Sequence, residues 1–67
     1  MRLNPTETLF ERYKEALRAG HVAVVRGRLE AAAAAYGEAI AIAPDRAVPR
    51  TSLGMVLLRL GEPGAGR

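Results

Sequence analysis

Apolar positions recur at helical spacing through the first third of the chain. With residues placed at steps of about 100°, Leu9, Phe10, Tyr13, Ala16, Leu17, Gly20 and Val24 gather within about 60° of one line. Glu7, Glu11, Lys14, Glu15 and Arg18 fall on the opposite side. The pattern predicts an amphipathic helix over residues 5–26. Its start is marked by Asn4 as an N-cap, Pro5 at the first helical position and Glu7 at the third. Gly27 marks its end, with Arg26 and Arg28 near the negative end of the helix dipole. Gly20 in its interior costs about 1 kcal/mol relative to Ala, which suggests that another helix comes close there.

A second periodic segment follows over residues 29–42. Its stripe is Leu29, Ala32, Ala33, Tyr36, Ala39, Ile40 and Ala43, mostly small residues that let helices pack closely. Glu30 lies in its first turn, where negative charge is favoured, and Pro44 stops it. A third helix is expected over residues 47–60, with Asp45 as a candidate N-cap or a start nearer Pro49. Gly61 ends it, and residues 62–67 read as a frayed tail. The fold class expected is therefore all-α, one helical domain over residues 1–61.

The third helix is apolar on two sides. Leu53, Val56, Leu57 and Leu60 form one face, and Met55 and Leu58, with Val48 and Thr51 nearby, form another. Such a helix expects neighbours on both sides, and the first two helices cover only one of them.

The chain also repeats. Gly20 and Gly54 are 34 residues apart, as are Gly27 and Gly61, and Ala19/Leu53, Ala23/Leu57 and Val24/Leu58 keep apolar character at that spacing. A helix–turn–helix unit of this period is the tetratricopeptide pattern.

Residues 13–46 resemble one complete tetratricopeptide repeat. The resemblance rests on Gly20 in the first helix, Gly27 at the turn, Ala32, Tyr36 and Ala39 in the second helix, and Pro44 at the close. Residues 47–61 resemble the first helix of a second repeat, with Leu53, Gly54 and Leu57 in place. Three positions depart from the family's bulky residues: Ala16, Ala19 and Arg50. The resemblance implies an antiparallel helical array whose first helices line a concave, partner-binding face. It places there Lys14, Leu17, His21, Val24 and Val25, then Val48, Thr51, Met55, Leu58 and Arg59. Leu17 and His21 stand where chaperone-binding relatives carry Lys or Asn, which argues against that specialised activity.

Composition narrows the function classes. There is no Cys and one His, so neither disulfides nor a Cys/His metal cluster stabilises a chain of 67 residues. A chain this short buries only about 60% of its unfolded surface, which leaves a partner or more chain as the source of stability. No catalytic residue, cofactor or metal site is expected: no motif activates Thr6, Thr8, Thr51 or Ser52, and Glu7 and Glu11 are ordinary helix-surface charge. The glycine-rich end at Gly61–Arg67 lacks the Lys-Ser/Thr of a phosphate loop. Nine Arg and one Lys give a net charge of +3, but glutamates are interleaved with them, so the basic residues form no long run. No segment has the length of a membrane span, and the N-terminus lacks a signal core. A soluble, cytoplasmic protein-interaction or scaffold module is expected, a homodimer through its third helix. Two alternatives stand beside it. One is a truncated piece of a longer array that binds a peptide. The other is a basic domain that binds nucleic acid through Arg12, Arg18, Arg26, Arg28, Arg46 and Arg50.

Overall fold

Two short turns, each punctuated by a residue the helix cannot absorb, cut residues 5–61 into three helices. The computed structural model describes residues 5–62 and forms α1 (Pro5–Val25), α2 (Leu29–Ile42) and α3 (Ala47–Gly61), with no strand among the described residues. The all-α expectation holds, and α2 has the limits the pattern predicts. Asn4 and residues 63–67, the body of the expected tail, lie outside the described residues.

α1 ends one residue earlier than the pattern suggests because Gly27 closes it from outside. Gly27 takes a φ of +74°, the left-handed conformation that Gly adopts without steric cost. Its N–H donates to Val24 O at 3.0 Å, and the Arg28 N–H donates to Ala23 O at 2.8 Å. These are the two bonds of a Schellman motif, which satisfies the last carbonyls of the helix. The second turn holds Pro44, which has no N–H to continue α2. The Arg46 N–H donates to Ala43 O at 3.1 Å, which carries the turn one residue past Asp45. The N-cap of α3 is therefore Arg46, in extended conformation and without a side-chain cap, and not Asp45. Pro49 falls in the first turn of α3, where its ring is tolerated, and is buried. α3 runs through Gly61, one residue beyond expectation.

α2 is the centre of the packing. Its Leu29, Ala32, Tyr36 and Ala39 are buried. Leu29, Ala32 and Tyr36 join Ala23 of α1 and Val56 of α3 in one cluster, and Ala39 joins Tyr13 and Ala16 in a second. α1 and α3 flank α2 and barely touch one another. Leu9 and Phe10, expected on the buried stripe of α1, are exposed. α2 has 14 residues and α1 has 21, so the first turns of α1 extend beyond its cover. Ala23 is buried in their place.

Candidate interaction surface

Gly20 and Gly54 occupy the same place in the 34-residue period and meet opposite surroundings. A methyl group built on Gly20 would lie 2.6 Å from Tyr36 Cδ1 and 2.8 Å from Tyr36 Cζ, inside van der Waals contact. The absence of a side chain at Gly20 is what lets the Tyr36 ring lie against α1. The Tyr36 hydroxyl hydrogen-bonds His21 Nδ1 at 2.6 Å, and the two rings meet edge-on with centroids 5.4 Å apart. Around Gly54 nothing stands within 4 Å of the same position. Its neighbour Leu57 is 53% exposed, whereas Ala23, 34 residues earlier, is 8% exposed.

This corrects the expected face of α3. Pro49 and Val56 are buried against α2, and Ser52, Leu53 and Leu60 are half-buried beside them. Leu57 is not part of that set. It sits at the far edge of the helix, about 100° from Val56, beyond the reach of α2. Val48, Met55, Leu57 and Leu58 are all exposed, Met55 at 63% and Leu58 at 72%. Thr51, Arg50 and Arg59 lie exposed among them.

The opposite flank of the molecule differs in chemistry. Glu11, Arg12, Glu15 and Arg18 are exposed on α1 away from the core, so that side is built to face water. Lys14 Nζ lies 3.0 Å from Glu11 Oε1 and 5.0 Å from the Phe10 ring centroid. α1 also exposes apolar side chains, Leu9 and Phe10 near its start and Val22 and Val25 near its end, whereas those of α3, Val48, Met55, Leu57 and Leu58, are spread along the helix.

The predicted concave face is therefore split. His21 and Val25 are exposed, but Leu17 and Val24 are half-buried and pack against the core clusters. Their partial burial follows from α2 reaching over that side of α1. Val48, Thr51, Met55, Leu58 and Arg59 form the exposed part. The His21–Tyr36 hydrogen bond is the contact that sequence reasoning missed. Its signal was the turn at Gly27: once Gly20 meets Tyr36, residue 21 lies beside the same ring.

Three of the six arginines named above, Arg18, Arg26 and Arg28, line a shallow hollow of about 340 Å³ together with Glu15. Arg46 instead lies over the Tyr13 ring, 5.9 Å from its centroid. Among the described residues no three His, Cys, Asp or Glu come together as a metal site, and no helix is long and apolar enough to cross a membrane. No protein-family model, curated protein or solved structure matches the chain.

Proposed function

We propose that the chain is a non-enzymatic protein-interaction module of tetratricopeptide type that self-associates through α3. The observation that carries this reading is the unequal pair of glycines. The first has an aromatic ring seated on it, and the second, one period later, stands open beside exposed Met55, Leu57 and Leu58. An apolar area of that kind on a small chain marks an interaction site. Stacked repeat units bury a continuous core only through their neighbours, and a second copy supplies a neighbour.

The test is mass in solution by light scattering, with Met55→Glu/Leu58→Glu as the control. The wild-type chain is expected to be a dimer at about 100 µM and the double variant a monomer of unchanged helicity, since both side chains project into solvent in the single chain. A wild-type monomer at that concentration contradicts the proposal. A polyanion-binding reading has one observation in its favour, the three arginines around the hollow at the first turn. It requires binding of single-stranded RNA or duplex DNA that weakens steeply with salt.

A further inference from the structure

The outward side of α3 is patterned in bulk and in charge, and the pattern is complementary to itself in one direction only. Ala47, Thr51, Gly54, Leu58 and Gly61 follow one another at spacings of four and three residues along the side turned away from α2, with Met55 and Leu57 exposed on either flank. That is the spacing of a helix seam facing another helix. Along it a residue with bulk alternates with a glycine: Thr51, Gly54, Leu58, Gly61.

We infer that α3 pairs with α3 of a second copy in antiparallel orientation, Gly54 of each chain opposite Leu58 of the other and Arg50 of each opposite Glu62 of the other. The inference rests on the self-association reading above and adds a direction and a register to it. In a parallel pair, Gly54 faces Gly54 and leaves a void, while Leu58 faces Leu58. In the antiparallel pair centred on the level of Val56, Gly54 receives Leu58 and Gly61 receives Thr51, so each of these four layers holds one side chain and one glycine. The helices then approach closely without a cavity, which is how protein interiors pack.

Charge selects the same direction. α3 contains no acid, and Glu62 follows it directly as the C-cap. Arg50 and Glu62 are exposed, and neither forms an ion pair among the described residues. Twelve residues of helix separate them by about 18 Å, too far to pair within one chain. An antiparallel partner brings Arg50 level with Glu62 across the seam at both ends of the contact, whereas a parallel one brings Arg50 level with Arg50. The contact is isologous, so two copies close it completely.

Cysteine cross-linking tests the register, because the chain has no Cys of its own. Thr51→Cys and Gly61→Cys are made as separate variants and oxidised alone and mixed, at a concentration where the wild type is dimeric. The mixture is expected to form a covalent heterodimer. Neither variant alone is expected to cross-link, since each cysteine would lie about 15 Å along the helix from its own copy. A covalent dimer of Gly61→Cys alone overturns the antiparallel direction, and no cross-link in any sample overturns the register, while self-association stands in both cases. A monomeric wild type removes the self-association reading itself. Charge reversal gives an independent readout. Arg50→Glu and Glu62→Arg are each expected to weaken the dimer about two- to fivefold, and the double reversal to restore it. A double variant as weak as the singles contradicts the pairing.

Discussion

At the scale of single residues, Gly20, Gly27 and Gly54 have different duties, and substitution separates them. Gly20→Ala drives a methyl group into the buried Tyr36 ring, so thermal or denaturant unfolding is expected to show a loss of about 1–3 kcal/mol. Gly54→Ala meets open space in the single chain and replaces a poor helix former, so the dilute monomer is expected to gain about 0.5–1 kcal/mol. Equal losses at the two positions would contradict the contrast between them. Gly27→Ala must hold a left-handed conformation and is expected to cost about 1–2 kcal/mol. The His21–Tyr36 hydrogen bond is a separate contribution. A double-mutant cycle over His21→Ala and Tyr36→Phe is expected to return a coupling of about 0.5–1.5 kcal/mol. A coupling near zero would show that Tyr36 is held by its burial alone.

At the scale of elements, helix limits were legible because the residues that end them act locally. Gly27 and Pro44 forbid continuation whatever surrounds them, and the limits agree to within a residue. The buried faces were legible only where the neighbouring helix runs the whole length. Leu9 and Phe10 continue the stripe of α1 but lie beyond the end of α2, a fact set by the difference in helix length and not by their own periodicity. Leu57 belongs to an apolar run in which Leu53, Val56, Leu58 and Leu60 surround it, and periodicity alone does not say where α2 stops covering α3. Two exposed apolar groups on α3 were legible because Leu58 lies nearly opposite Val56 and Met55 lies about 100° from it, away from Leu53 and Leu60. The His21–Tyr36 contact depends on how α1 and α2 register across a turn, which no single helix pattern contains. Element behaviour can be checked by hydrogen exchange. The amides of α2, packed on both flanks, are expected to be the most protected, and those of α3, packed on one flank, to gain protection as concentration rises. Protection of α3 that is independent of concentration would contradict its role as the interface.

At the scale of the whole molecule, the chain is a three-helix layer with unlike sides. The outer side of α1 carries Glu11, Arg12, Glu15 and Arg18 along its middle and Val22 and Val25 toward its end, and the outer side of α3 carries Met55, Leu57 and Leu58. Without disulfides, a chain of 67 residues has a small core, in which Tyr36 is the largest fully buried aromatic side chain. Covering the α3 face in a dimer adds to that core and links stability to concentration, so the melting temperature is expected to rise on going from about 1 µM to about 100 µM. The same face in a chain held as a monomer is an aggregation liability, and the Met55→Glu/Leu58→Glu variant is expected to be the more soluble form. The central claim is that α3 joins two copies, and sedimentation equilibrium of the wild type beside this double variant tests it most directly. The account predicts twice the chain mass for the wild type at about 100 µM and a single chain mass for the variant, and a wild type of single chain mass would contradict it.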